Sequence, residues 1–294
     1  MTDAVRISIP LEAPLDLGST LFPTHPARSD GAGVWRATRT PDGPATQHLR
    51  IEGDTVVAES WGPGSDWLRE RLPRLLGVAA TADFPTPHPL VRDLHRIHRG
   101  LRIPRTEAVY EAAVLTVLAQ LVTSEEAQAS RRRFLWELGE EAPGPGSLRL
   151  LPTPRKLLAT PYWTLHRFGV ERRRAETLYR VAMHAARLEE TVAMDLPSAY
   201  RRLLAIPGLG DWSAAEIALV ALGDSDAVAV GDYHLPHLVS WALAGEARGT
   251  DARMLELLEP YRGQRGRVLR LLVHGHVGYP QRGPKHALRR LDRI

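Results

Sequence analysis

Over the first ninety residues, apolar and polar positions alternate in short runs separated by turn residues. Val5–Pro10, Val34–Thr40, Gln47–Glu52 and Thr55–Ser60 carry β-branched residues at strand spacing, with turns at Pro41-Asp42-Gly43 and Gly53-Asp54. Asp66–Leu76 reads as a helix with Ser65 as its cap, which predicts a small antiparallel sheet with a covering helix. The proline-rich stretch Ala82–Pro89 reads as a linker. The pattern thus predicts an α+β domain over 1–89 and an all-α domain over 90–294.

From Leu90 onward the period becomes helical. Leu90, Leu94 and Ile97 share a helix face, and Glu107–Leu121 is apolar enough for a buried central helix. Thr123-Ser124-Glu125-Glu126 has the form of a helix start, with Ala127–Leu138 following. Ala142–Ser147 is a Gly/Pro loop. Further helical segments are Pro154–Ala159, Arg172–Leu188, Ser198–Ala205, Asp211–Leu222, Tyr233–Leu243, Ala252–Leu258 and Arg265–His274. No repeat or low-complexity tract interrupts them.

Composition narrows the chemistry. The 294 residues include no cysteine, which removes disulfides, thiolate metal sites, iron–sulfur clusters and a cysteine nucleophile together. No basic start followed by a long apolar run marks a secretion signal, and Ala112–Val122 is too short to cross a bilayer. A cytoplasmic protein is expected. The net charge is +4, with 27 basic and 22 acidic residues after residue 100. Only Lys156 and Lys285 are lysines; the other basic residues are arginines. Arginine excess is compatible with a nucleic-acid partner and equally with a genome bias, so charge alone decides nothing.

The segment Leu203-Leu204-Ala205-Ile206-Pro207-Gly208-Leu209-Gly210-Asp211-Trp212 joins two apolar helix faces through a turn with glycines two apart. Such a turn can aim several N–H groups at a phosphate, although a bare Pro-Gly-x-Gly is more often a simple helix corner. Asp232 follows about twenty residues later, after the apolar run Ala227–Val230, and can cap the next helix.

Together these residues resemble the hairpin and aspartate of the helix-hairpin-helix DNA glycosylase superfamily. The resemblance implies a mainly α fold: a helix-hairpin-helix domain preceded by a small α+β domain with an antiparallel sheet. It implies that Pro207, Gly208, Leu209 and Gly210 grip a DNA phosphate, with a monovalent cation as an optional ligand there and otherwise no cofactor or metal. Asp232 would be the catalytic residue. Family members that also cut the backbone carry a lysine two residues after the last hairpin glycine, where this chain has Trp212. Tryptophan there is similar to the 3-methyladenine DNA glycosylase II branch, and an indole can stack on a cationic alkylated purine for roughly 0.5–2 kcal/mol. Trp212 can equally be a packing residue.

Ala119–Ser124 resembles the family loop that wedges into the duplex, which makes Leu121 the wedge and Gln120 its neighbour; a core leucine is the alternative. Arg172, Arg173 and Arg174 are candidates for phosphate contact, or form a solvated helix face. Tyr233 is retained beside Asp232. Two departures concern the base pocket. Glu216 stands where the branch has an aromatic, and the last pocket helix offers Val273, His274 and His276 instead of one. A carboxylate at 216 would favour cationic bases, bind an exocyclic amine or repel the charge of Asp232, or else face away in a salt bridge. His234 and His237 lack a third ligand nearby and read as ordinary helix residues.

The resemblance implies a monofunctional, monomeric, nucleoid-associated DNA glycosylase acting in base excision repair on duplex DNA with damaged, alkylated purines. Its base pocket would hold Trp212, Tyr233, Glu216 and Gln120. Two alternatives stay open: a glycosylase for deaminated or oxidised bases, and a damaged-DNA-binding protein without catalysis.

Overall fold

In the computed structural model, residues 4–21, 27–77 and 86–280 are described. The N-terminal part contains β1 (Val5–Pro10), α1 (Leu17–Leu21), β2 (Ala27–Ser29), β3 (Val34–Thr40), β4 (Gly43–Glu52), β5 (Thr55–Trp61) and α2 (Ser65–Leu75). The strands form one antiparallel sheet in the order β1-β5-β4-β3-β2. Its register sets Val34 opposite Leu49, Leu49 opposite Ala58 and Ala58 opposite Ile7, so one row of apolar side chains crosses the sheet. That row packs on Leu72, Leu75 and Leu76 beside α2 and on Leu21 of α1. Gly64, not Ser65, precedes α2 as its cap; the Ser65 hydroxyl instead donates to the Gly62 carbonyl at 2.6 Å.

The opposite face of the sheet is also covered. Trp35 stacks on His48, its cross-strand partner, with ring centroids 4.1 Å apart, and Trp61 lies 5.5 Å away. The expected loop at 142–147 presses on these rings: a Cβ at Gly146 would come within 2.7 Å of Trp35. Two-sided cover explains why β4 is buried over most of its length instead of alternating.

The remaining elements are α3 (Pro89–Ile97), α4 (Val109–Ala119), α5 (Ser124–Leu138), the hairpin β6 (Glu140–Glu141) and β7 (Arg149–Leu150), α6 (Pro154–Leu158), α7 (Tyr162–Arg167), α8 (Arg172–Met183), α9 (Ala185–Glu189), α10 (Leu196–Leu204), α11 (Asp211–Ile217), α12 (Leu235–Ala244), α13 (Asp251–Leu258) and α14 (Arg265–His274). The first half of the expected linker lies outside the described residues, and α3 begins at its last residue, Pro89. The fold is mainly α with a small antiparallel sheet at its N-terminal end.

The helices enclose two packing centres. One surrounds α4, which is apolar and buried on all sides and contacts α5, α8, α9 and α11. The other joins α3, α12, α13 and α14 through Val91, Leu94, Val239, Met254 and Leu272. Ile97 points out from this second core and is 66% exposed, because Val91 and Leu94 form the buried stripe of α3. The segment expected as one helix over Arg172–Leu188 breaks at His184 into α8 and α9. Following that break, Glu189 accepts from the Val109 and Tyr110 N–H groups (3.0 and 2.8 Å) and caps the buried start of α4. Thr123 and Glu126 close the expected capping box at α5. After α11, a π turn at Ala218–Leu222 directs the Val220 and Ala221 carbonyls to the Thr106 and Glu107 N–H groups, each at 3.0 Å.

Candidate functional site

The turn between α10 and α11 is anchored from below. Leu203, Ile206 and Leu209 are buried in the α4 core, leaving Pro207, Gly208 and Gly210 on the surface. Gly208 has φ +102°, and a Cβ there would collide with the Thr177 side chain, so glycine is required on both counts. Gly210 differs. Its backbone is extended, and no atom lies within 4 Å of where its Cβ would sit. Neither strain nor packing inside the protein demands glycine at 210; an open approach to the backbone remains. The first N–H groups of α11 lack intrahelical acceptors by position and face the same side.

Gln120 ties this turn to the end of α4. Its Nε2 donates to the Gly208 carbonyl and the Ser213 hydroxyl, both at 2.8 Å. Leu121, the next residue, is 83% exposed with φ +54°. A large apolar side chain held in solvent on a left-handed backbone is no core leucine. Below it, Arg174 is buried and donates to the Leu118 and Gly169 carbonyls (3.1 and 2.7 Å), which removes it from the phosphate candidates. Arg172 is exposed beside Glu176 at 3.3 Å, while the exposed Arg173 borders the cleft described next.

A cleft of about 2040 Å³ runs between the sheet domain, α4–α5, α11 and α14. Gln120, Leu121, Gly208, Gly210, Trp212 and Glu216 border it, as do Asp232 and Tyr233. Asp232 is the most engaged of these. Its Oδ1 accepts from the His234 and Leu235 N–H groups (2.7 and 2.9 Å), capping α12, which begins at Leu235 and not at Tyr233. Its Oδ2 accepts from Trp212 Nε1 at 2.9 Å. A carboxylate has about four acceptor positions, so one on Oδ2 stays open toward the cleft. Trp212 is therefore half packing and half site: its ring lies against Ala215, Ala227 and Ala229 while its N–H holds Asp232.

Glu216 lies one turn beyond Trp212 on the same face of α11 and borders the cleft. Among the described residues it forms no hydrogen bond or ion pair, so it is not turned away in a salt bridge with any of them. Burial, and then the nearby Asp232 charge, push its carboxyl up to about 7, against the pull of Arg270 and Arg131. Both arginines also border the cleft, and burial lowers both. Arg270 donates Nη2 to the Ser19 carbonyl of α1 at 2.9 Å; Nε of each arginine has no partner.

Tyr233 stands at the rim, 68% exposed, edge-on to His234. His234 Nδ1 meets the Tyr279 hydroxyl at 2.5 Å, and Tyr279 brings an aromatic ring to the cleft from beyond α14. The sequence reading missed Tyr279, Arg131 and Arg270. Val273 is half exposed, and His274 is engaged with the Ser19 hydroxyl at 2.9 Å. Lys156 does not border the cleft, and Lys285 lies outside the described residues.

No family model matches the chain. The chain is 30% identical over 167 residues to DNA-3-methyladenine glycosylase 2 of Escherichia coli strain K12, over 55% of this chain and 57% of that protein. It thus spans just over half the length of this curated relative. Among solved structures, a 3-methyladenine DNA-glycosylase from Archaeoglobus fulgidus superposes with TM-score 0.78 at 19% identity, covering 92% of this chain and 98% of that one. The 8-oxoguanine glycosylase/lyase of Clostridium acetobutylicum superposes with TM-score 0.68 at 14% identity, covering 93% and 98%.

Proposed function

From its likeness in sequence and fold to the helix-hairpin-helix glycosylases, and in sequence to their 3-methyladenine glycosylase II branch, we propose that this chain is a monofunctional DNA glycosylase excising alkylated purines from duplex DNA. The observation that carries the reading is Asp232: a cleft carboxylate fixed by three N–H donors, with one acceptor position unused. In this reading residues 90–294 carry the chemistry and residues 1–89 close one side of the cleft.

The N–H groups at the start of α11 and around Gly210 take a backbone phosphate, aided by the positive end of the helix. Arg173, exposed beside the cleft, supplies charge nearby. Leu121 enters the base stack where the damaged nucleotide leaves it, and Gln120 holds wedge and hairpin in fixed relation. The extruded base enters between Trp212 and Tyr233. As its N-glycosidic bond breaks, positive charge develops on the sugar, and Asp232 stabilises that charge or orients the attacking water. Electrons of the broken bond leave with the base, which ring alkylation has made a good leaving group. No amine stands at position 212, so the products are a free base and an intact strand with an abasic site.

A second reading, a glycosylase for deaminated or oxidised bases, is favoured by Glu216 in place of a pocket aromatic. Incubation with duplexes that each hold one defined lesion, followed by alkali, tests both. Alkali-dependent cleavage at methylated purines is expected. Cleavage without alkali overturns the monofunctional assignment, and release of only uracil or oxidised guanine favours the second reading. Tight lesion binding with no base release identifies a non-catalytic damage-binding protein.

A further inference from the structure

Three groups in the cleft have unused hydrogen-bonding capacity. Among the described residues, Glu216 on α11 forms no hydrogen bond or ion pair, and Arg131 on α5 and Arg270 on α14 each have a buried Nε without a partner. A carboxylate between two guanidinium groups inside a protein normally closes an ion pair, since opposite charges attract strongly there. Here the three come from different helices and remain apart. Arg270 is held away by the Ser19 carbonyl of α1, and neither arginine makes an ion pair among the described residues. A buried Nε without an acceptor costs stability, and the half-buried Glu216 carboxylate beside the cleft has both oxygens free to accept, so the arrangement calls for a ligand that completes it.

The chemistry of that ligand follows from donors and acceptors. A carboxylate takes two N–H groups side by side; a guanidinium gives N–H to a carbonyl oxygen or ring nitrogen. A purine with a 6-oxo group presents N1–H, joined in guanine by the 2-amino group, next to the O6 acceptor. An adenine-type edge offers only its 6-amino group beside a ring nitrogen that cannot donate. Charge points the same way. Arg131 and Arg270 offset Glu216 and Asp232, so the cleft has no surplus negative charge with which to select a base merely because it is cationic.

We infer that Glu216, Arg131 and Arg270 read the Watson–Crick edge of the extruded base, and that the chain prefers 6-oxopurine lesions, guanine or hypoxanthine derivatives, over adenine derivatives. The inference rests on the glycosylase reading above. Glu216 accepts from N1–H and any 2-amino group, and a guanidinium donates to O6.

Single-turnover release is measured from duplexes containing 7-methylguanine, hypoxanthine or 1,N6-ethenoadenine, and from methylated DNA for 3-methyladenine. Release of the two 6-oxopurines at least about tenfold faster than the adenine derivatives is expected, the discrimination typical of one bidentate edge contact. Glu216→Gln is isosteric and should collapse the ratio; its melting temperature is compared with the parent's at pH 5, where the parent carboxyl is protonated and the two should agree. Arg131→Gln supplies an independent variant from another helix and should lower the same ratio. Equal or faster release of adenine derivatives, or a ratio unmoved in both variants, overturns the edge-reading assignment and leaves the glycosylase reading standing. No release from any duplex overturns both.

Discussion

Around α4, three glutamates have every oxygen engaged, and two of them, Glu107 and Glu111, are buried. Glu107 pairs with Arg71, Arg74 and Arg105 at 2.9–3.0 Å, Glu111 accepts from the Thr38 hydroxyl and the Arg39 N–H, and Glu189 caps α4. In the cleft, Glu216 engages none of the described residues and Asp232 keeps one position open. Burial pushes Glu111 and Glu216 up to the same value, about 7, so a perturbed carboxyl does not separate the two regions. Their hydrogen bonds do. Where each oxygen has a partner within the chain, the glutamate joins one element to another; where none has, the group is available to something that enters.

The largest effect that would break this contrast is on Asp232. Asparagine caps helices about as well as aspartate, but its amide nitrogen cannot accept from Trp212 Nε1, so Asp232→Asn should cost about 1–2 kcal/mol. Base release should nevertheless fall at least ~100-fold, the scale of losing one preorganised charge at a reacting centre. Calorimetry and single-turnover release on one preparation separate capping from chemistry. Glu107→Ala should do the reverse. It removes the buried partner of three partly exposed arginines and should cost about 1–3 kcal/mol, read from urea unfolding, while release per folded molecule stays near that of the parent.

The third test uses pH. The Glu216 carboxyl titrates near 7 in the folded chain against 4.5 in the free group, so between those values the folded state holds a proton that the unfolded state has lost. Its contribution therefore favours folding at pH 5 and declines as pH rises toward 7, by at most about 3 kcal/mol. Asp232, Arg131 and Arg270 are the charged groups that face it. Glu216→Gln should become more stable relative to the parent as pH is raised from 5 to 8. A constant difference would mean that Glu216 is solvated. The smallest effect on the fold is at Leu121: Leu121→Ala should leave the melting temperature unchanged within error, since the side chain is in solvent, while weakening discrimination of damaged over intact duplex.

Much of this was legible along the chain for local reasons. Val34–Thr40 and Arg265–His274 coincide with β3 and α14 because strand and helix periods run unbroken there. Thr123 and Glu126 announce α5 because a capping box is a four-residue device. The hairpin and Asp232 were singled out through a family resemblance, and their meeting across the cleft, Trp212 to Asp232, is one hydrogen bond. The rest depends on distant partners. Arg131 stands in the run Arg131-Arg132-Arg133, which carries no local signal of a site, and only the approach of α11 and α14 makes it part of the cleft. Leu121 reads as the end of an apolar helix until its backbone angle turns it outward. Arg174, alike in sequence to Arg172 and Arg173, is separated from them only by carbonyls that its neighbours in the fold supply.

The most direct test of the central claim is single-turnover release of 7-methylguanine from a defined duplex by the parent chain and by Asp232→Asn, with duplex affinity measured in parallel. The account predicts an alkali-labile abasic site with the parent, almost none with the variant, and closely similar affinities. Equal release by both proteins would contradict it.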